Sequence, residues 1–159
     1  YDWGAHYIDW LLGFMPGKVK SVRGFVHNRV WHEVTNEDQV DSVIEFDNGA
    51  VAQVQLSTIA RAGKAMVRIL GTKGAIVDTD LFDGEMTLST EVEGLAVETK
   101  VKNLKDNHAA YYQNIADHLM NGAELIVRPE QAARTIALIE TTEKSAAAGT
   151  ALPLPNEHV

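Results

Sequence analysis

Residues 40–59 decide the fold and read VDSVIEFDNGAVAQVQLSTI. Apolar and polar side chains alternate from Val40 to Phe46, which is the period of a β-strand. The following pair Asn48-Gly49 tolerates positive φ at both central positions of a type I′ turn. We therefore predict a β-hairpin with a two-residue turn, whose return strand runs from Val51 to Ile59.

The register of this hairpin determines what each face of the sheet carries. With a two-residue turn, Ile44 pairs with Gln53 and Val43 pairs with Val54, so neither face is cleanly polar. A face without helices would then be half apolar. That is compatible with ordinary surface apolarity or with a contact between subunits, and we favour the contact.

Helices flank this β region on both sides. The helical spacing of apolar residues predicts a first helix from Trp3 to Met15, which Pro16-Gly17 ends. It carries an aromatic stripe on one side and an aliphatic stripe on the other. The other predicted elements are strands over Val19–Val30, Ala65–Leu70, Ala75–Asp78, Met86–Leu88 and Leu95–Val101, a helix capped by Asp106 or Asn107 and ended by Gly122, a helix from Pro129 to Gly149, and an extended segment Leu152–Pro155.

The order of one helix, a run of strands and two further helices indicates an α+β fold. We expect an open, mostly antiparallel mixed β-sheet with helices packed on one face. The expected buried stripes of the last two helices are Tyr112, Ala116 and Leu119 on one, and Ala132, Ile136 and Ile139 on the other.

The composition removes several classes of protein. The 159 residues include 14 Lys and Arg against 22 Asp and Glu, a net charge of −8 that repels nucleic acid. No apolar run approaches the ~20 residues of a membrane span. The absence of cysteine excludes a disulfide scaffold and a cysteine nucleophile and agrees with a cytoplasmic location. We expect neither a nucleic acid nor a membrane partner.

The first helix carries the sharpest candidate for chemistry. Asp2, His6, Asp9 and Gly13 fall on one narrow helical stripe. Histidine exchanges a proton near neutral pH. Because carboxylates one turn before and after it can orient the imidazole and stabilise its cation, His6 is a candidate general acid or base.

Two other interpretations of this stripe stay open. In the structural interpretation, which an isolated helix favours, Asp2 caps the helix, His6 is a satisfied core residue and Asp9 is solvated. In the other, His6 and the carboxylates bind a divalent metal ion. A metal site of this kind usually needs a second histidine, and the remaining histidines show no paired spacing.

Two basic residues form a separate candidate. Arg61 and Lys64 flank Gly63 after the return strand. A loop there could present them to an anionic or hydroxylated ligand, or the two charged side chains could simply solvate the turn. The sequence contains no glycine-rich dinucleotide fingerprint, P-loop or nucleophile elbow. We therefore expect the chain to bind no dinucleotide by itself.

At Asp2–Asp9, DWGAHYID, the chain resembles the glucose-fructose oxidoreductase, inositol dehydrogenase and rhizopine-catabolism family, usually written Gfo/Idh/MocA. The resemblance covers nearly the whole chain. Its other parts are the strand Val40–Phe46 with Asn48-Gly49-Ala50, the turn Leu70–Gly74, and the closing helices around Asn121-Gly122 and Glu140–Gly149.

The resemblance implies that residues 1–159 are the C-terminal substrate-binding and oligomerisation domain of an NAD- or NADP-dependent oxidoreductase, with a fold like that of the C-terminal domain of dihydrodipicolinate reductase. The N-terminal Rossmann domain would be absent from this chain. His6 would accept or donate the proton as hydride moves between the nicotinamide and a sugar, polyol or related hydroxy compound, and Asp2 would assist it. Asp9, Arg61 and Lys64 would contact the substrate.

The same resemblance implies further properties of the chain. The exposed sheet face would join the subunits of a homo-oligomer. The chain alone would be inactive, with no cofactor or metal site of its own. Inositol dehydrogenases have an aromatic hydroxyl where this chain has Lys64-Ala65, and a cationic wall would suit a sugar acid or a phosphorylated group. The alternative of a different class is a binding or assembly domain in which His6 and Asp2 are structural.

Overall fold

The computed structural model describes residues 1–79, 84–105, 107–155 and 157. The chain divides into two compact units, the first formed by residues 1–60 and 125–159 and the second by residues 61–124. Numbered in chain order, the elements are α1 Asp2–Phe14, β1 Val19–His27, β2 Gln39–Phe46, β3 Val51–Ser57, β4 Val67–Gly71, β5 Gly74–Asp78, β6 Glu85–Val92, β7 Leu95–Lys102, α2 His108–Asn121 and α3 Pro129–Ala148.

In the first unit, α1 and α3 pack on one face of an antiparallel sheet of strand order β1-β2-β3. The alternation of each strand directs its apolar side chains toward the helices. Val22, Ile44 and Phe46 are completely buried there. The other core residues are Ile8, Val19, Leu138, Ile139 and Leu154.

Helix α3 lies directly on β1 because glycine occupies the crossing point. A Cβ atom on Gly24 would lie 2.0 Å from the backbone oxygen of Thr142. The Gly24 N–H donates to Ser145 Oγ at 3.0 Å, and the hydroxyls of Ser42 and Thr142 are hydrogen-bonded at 3.0 Å. The polar groups of this close contact are therefore satisfied without water.

The β2–β3 hairpin differs from the prediction by one residue. Its loop has three residues, because Phe46 N–H donates to Ala50 O at 2.9 Å, and of these only Gly49 has a positive φ, 83°. A type I turn followed by one left-handed residue produces this loop. The predicted two-residue turn is therefore wrong, and Val43 pairs with Gln53.

The corrected register separates the two faces of the sheet. Side chains from Ser42 and Ile44 share the helix-covered face with their partners Val54 and Ala52. The opposite face, which we call the open face, is mainly polar but includes the exposed side chains of Phe25, Val43 and Val51.

The C-terminal segment is tied to β1. Leu152 forms an isolated antiparallel bridge with Val22, as expected for an edge segment. The Glu157 carboxylate accepts from the backbone N–H of Val19 and pairs with Arg134 of α3. These contacts close the open edge of β1 and keep Leu154 buried.

In the second unit, β4-β5-β6-β7 form an antiparallel sheet in sequential order. The predicted reversal between Gly71 and Gly74 is present and joins β4 to β5. The two-residue turn with positive φ at both positions occurs instead at Glu93-Gly94, with φ values of 51° and 80°. It joins β6 to β7.

Helix α2 has the predicted ends but not the predicted burial. The Asn107 side chain caps it by accepting from the backbone N–H of Ala110, and Gly122 ends it in the left-handed conformation; Asp106 lies outside the described residues. None of its residues is buried, and Tyr112, of the expected inward stripe, is 69% exposed. The expected stripe of Tyr112, Ala116 and Leu119 is therefore wrong.

Helix α3 runs from Pro129 to Ala148 as predicted, with left-handed Gly149 after it. Its buried stripe is more polar than expected. Ile139 is buried, but Ala132 and Ile136 are exposed. Small polar residues take their place, since the buried residues are Thr135, Leu138, Ile139, Thr141, Thr142 and Ser145.

The predicted α+β class with mostly antiparallel strands is confirmed. All strand pairs among the described residues are antiparallel, and they form two sheets where one mixed sheet was expected. In the described part of the chain, no helix is long and apolar enough to cross a membrane.

Candidate functional site

The candidate site lies on the outer surface of α1. This helix buries Ile8 and packs Ala5, Leu11 and Leu12 against the core. Because residues three and four apart share a helix face, the residues on the opposite side are directed to solvent. The aliphatic stripe is thus the buried one, the candidate chemistry is exposed, and the aromatic stripe is partly exposed.

His6 is exposed on this surface. Its ring is 6.3 Å from that of Trp10, centroid to centroid, with the two planes inclined by 37°. Among the described residues it forms no hydrogen bond with Asp2, with Asp9 or with the main chain. The imidazole is therefore open to a ligand, and the expected orientation by carboxylate hydrogen bonds is not formed in this structure.

The two carboxylates have different surroundings. Asp2 is the first residue of α1 and is exposed, while the N-cap is Tyr1, so Asp2 is not the cap that the structural interpretation requires. Asp9 lies at the contact between α1 and α3, where Thr135 Oγ1 is 3.4 Å from its Oδ1. Asp9 is nevertheless exposed, and its predicted contact with substrate stays a prediction.

Arg61 and Lys64 belong to the second unit, in the segment before β4. Both side chains are exposed, and neither forms an ion pair within the described ranges. They are available to a ligand, as predicted, and their role in substrate binding stays a prediction.

Two hollows of the first unit lie away from His6. One, of about 450 Å³, is on the open face and is lined by residues such as Phe25, His27 and Asp41. The other, of about 60 Å³, lies between α1, α3 and the sheet and is lined by Tyr1, Glu143 and ten others. His6 lines neither hollow. Within the first unit it lies on the exposed surface of α1.

The described residues do not form a metal or dinucleotide site. Within the described ranges, no three His, Asp or Glu side chains are grouped to hold a metal ion. A Rossmann site needs parallel strands joined through a helix, and every described strand pair is antiparallel.

Sequence reasoning missed the ring contact between His6 and Trp10. The signal was present, since these residues are four apart in a helix and their side chains must be neighbours. The sequence places Trp10 in an aromatic stripe but does not show that this stripe faces outward.

Fold and site together define an α+β domain that presents an open imidazole on its first helix. Residues 1–77 match the family model of the GFO/IDH/MocA C-terminal domain. The resemblance to the Gfo/Idh/MocA C-terminal domain is thereby confirmed over these residues.

Solved structures with this fold include the protein yvaA of Bacillus subtilis, with a TM-score of 0.85, 19% identity, and coverage of 97% of this chain and 51% of that one. An NAD-binding protein from Listeria innocua has a TM-score of 0.76 and 25% identity over 96% of this chain and 46% of its own. Levoglucosan dehydrogenase, solved in complex with NADH and L-sorbose, has a TM-score of 0.78 and 17% identity over 97% of this chain and 49% of its own.

The chain spans about half the length of these solved structures. No curated protein matches it in sequence.

Proposed function

We propose that this chain is the substrate-binding part of an NAD- or NADP-dependent oxidoreductase that acts on a sugar, polyol or related hydroxy compound. The observation that carries the proposal is the exposed His6 imidazole, free of main-chain hydrogen bonds in the described structure, on a helix within the family match of residues 1–77. A levoglucosan dehydrogenase of the same fold supports the substrate class. A cytoplasmic location, which the lack of cysteine favours, is part of the same proposal.

His6 is proposed to take the proton of the substrate hydroxyl and to return it in the reverse direction. The imidazolium formed in this way would lie one helical turn after Asp2, on the same side of α1. Asp2 supplies a negative charge there. We assign Asp2 the role of stabilising the protonated His6 and of binding the substrate.

The coenzyme is proposed to bind outside these residues, because the described strands and helices form no dinucleotide site. When bound, it would supply the hydride chemistry. The contribution of this chain is then to bind the hydroxy compound and to move its proton. It follows that the chain alone should not turn over substrate.

His6→Ala in the complete enzyme tests the proposal. Because loss of a general acid or base costs ~100 to 10,000-fold, we expect turnover to fall by that factor while the affinity for the coenzyme changes little. Nicotinamide absorbance measures turnover, and fluorescence titration measures coenzyme binding. His108→Ala, which removes an exposed histidine of α2, is the matched control and should retain activity. An undiminished rate in His6→Ala would remove the assignment.

The second candidate function, of a different class, is assembly of the chain through the open face. The observation in its favour is the apolar surface of Phe25, Val43 and Val51 there, of which Val51 is 65% exposed. Such surface inside a polar rim is typical of a contact between subunits. We propose self-association through this face, and it is compatible with the catalytic proposal.

A further inference from the structure

Three aromatic rings lie in a row along the outer side of α1, beside His6. The Trp3 ring stacks on Tyr7 with centroids 6.2 Å apart, and Tyr7 meets Trp10 edge-on at 5.3 Å with the planes at 80°. Trp10 then lies next to the His6 imidazole. Trp10 is half-buried, and Trp3 is 56% exposed.

We propose that Trp10 is a specificity-determining residue that selects cyclic over open-chain hydroxy compounds. In this proposal the indole face binds the C–H surface of a sugar or cyclitol ring while one hydroxyl of that ring reaches His6. The inference rests on the proposed function, since it assigns the same imidazole to the reacting hydroxyl.

The chemistry of an indole face favours such a ligand. The face of the ring carries partial negative charge and a large apolar area. The C–H groups on one side of a sugar ring are polarised in the opposite sense and lie nearly in one plane, whereas an open chain presents no such plane. A cyclic compound therefore gains contact with Trp10 that its open-chain counterpart does not.

The distances on α1 allow both contacts at once. A sugar ring in van der Waals contact lies ~4 Å above the indole, and the imidazole centre is 6.3 Å from the indole centre. A hydroxyl at the edge of the stacked ring can thus come within hydrogen-bond distance of His6, ~2.8 Å.

The orientation of Trp10 is set before any ligand binds. Tyr7 is half-buried and contacts the indole edge-on, which restricts its rotamers. Restriction in the free protein lowers the entropic cost of binding. Tyr7 is accordingly a positioning residue for Trp10.

Saturation-transfer NMR on the chain tests this inference without requiring turnover. The probes are D-glucose and myo-inositol as cyclic compounds and D-sorbitol as the open-chain counterpart of glucose. With aromatic protons saturated, we expect transfer to the ring C–H protons of glucose or myo-inositol and little transfer to sorbitol. Equal transfer to sorbitol, or none to either cyclic probe, would overturn the proposal.

Variants then locate the contact. Trp10→Ala should weaken binding of the cyclic probe about 10-fold, and Trp10→Phe should restore most of it because a ring face is retained. Trp3→Ala is the matched control, since it removes a more exposed indole that has no ring contact with His6 in the described structure. Loss of transfer in Trp3→Ala but not in Trp10→Ala would contradict the assignment.

The outcome separates this inference from the proposed function. Thermal unfolding of each variant shows whether it is folded, and Trp10→Phe keeps the test valid if Trp10→Ala is not. If His6→Ala retains turnover while ring transfer still depends on Trp10, the catalytic assignment fails and the ring-binding role of Trp10 stands. If turnover depends on His6 but saturation transfer to the ring protons is the same with and without Trp10, the ring-binding role of Trp10 is wrong and the catalytic assignment of His6 stands.

Discussion

The buried carboxylate of Asp38 binds the backbone of residues 29–31 in the β1–β2 loop. Its Oδ1 accepts from the backbone N–H of Arg29 at 2.9 Å, and its Oδ2 accepts from those of Val30 and Trp31 at 2.6 and 3.0 Å. The Asn28 side chain adds hydrogen bonds to carbonyl groups of the same loop. Only 1% of Asp38 is exposed, so these N–H groups replace water entirely.

Asp38 makes the stability of the fold dependent on pH, with a loss of stability in acid. Burial alone would raise the pKa of its carboxyl, but the backbone N–H groups of Arg29, Trp31 and Val30 outweigh it and lower the pKa below its ordinary value. Since the pKa is lower in the folded state, the carboxylate stabilises the fold above the unfolded pKa of ~3.9. That stabilisation is lost as the pH falls through the folded pKa.

We therefore predict that Asp38→Asn lowers the unfolding temperature at pH 7 and flattens its fall in acid. Circular dichroism between pH 3 and pH 7 measures both effects. Asp117→Asn, in α2, controls for the removal of one negative charge and should keep the acid transition of the wild type. An acid dependence in Asp38→Asn as steep as in the wild type would show that other groups cause it.

At the scale of elements, the close packing of α3 against β1 requires a residue without a side chain at position 24. Because a Cβ on Gly24 would overlap the Thr142 carbonyl, alanine there must push the helix from the strand. We expect Gly24→Ala to lower the free energy of unfolding by about 3 kcal/mol, the upper part of the usual range for overpacking. Urea unfolding gives this value.

Gly13→Ala is the matched control for this prediction. No atom lies within 4 Å of a Cβ built on Gly13, which lies in α1. Since alanine favours a helix over glycine by about 1 kcal/mol, this change should stabilise the protein by up to that amount. A similar loss from both substitutions would contradict the role of the β1–α3 contact.

The boundaries of the helices could be predicted from local residue types, but the residues that each helix buries could not. Asn107, Gly122, Pro129 and Gly149 mark helix ends through capping and left-handed conformation, which depend on the nearest residues alone. The hairpin at Gly49 shows the limit of such signals. Asn48-Gly49 is compatible with both a two-residue and a three-residue loop, and the pairing of the strands decides between them.

At the scale of the molecule, we predict that the chain self-associates through the open face and that a charge at its centre prevents this. Val43→Arg places a cation between Phe25 and Val51, where burial against a second copy would cost desolvation energy. Light scattering after size exclusion should show an oligomer for the wild type and a monomer for the variant.

The control for this experiment is Leu104→Arg, which adds the same charge at a side chain that is 95% exposed and lies outside the β1–β3 sheet. It should leave the oligomer intact. A wild-type chain that remains monomeric at all concentrations tested would contradict self-association.

Patterns within a few residues were enough to predict the α+β class, the strand-forming segments, the helix ends and the stripe that joins Asp2, His6 and Asp9. Helix periodicity and turn chemistry act over such distances, so they can be read without knowledge of the fold. The same patterns placed Trp10 four residues after His6.

Packing alone decided which side of α1 and of α3 is buried. The outward direction of His6 and Trp10 follows from the packing of Ile8 into the core. The polar stripe of α3 follows from the close approach of Thr142 to Gly24, two residues more than 100 positions apart in the sequence. No local preference specifies them, because the free energy of burial depends on which surface the folded chain brings opposite.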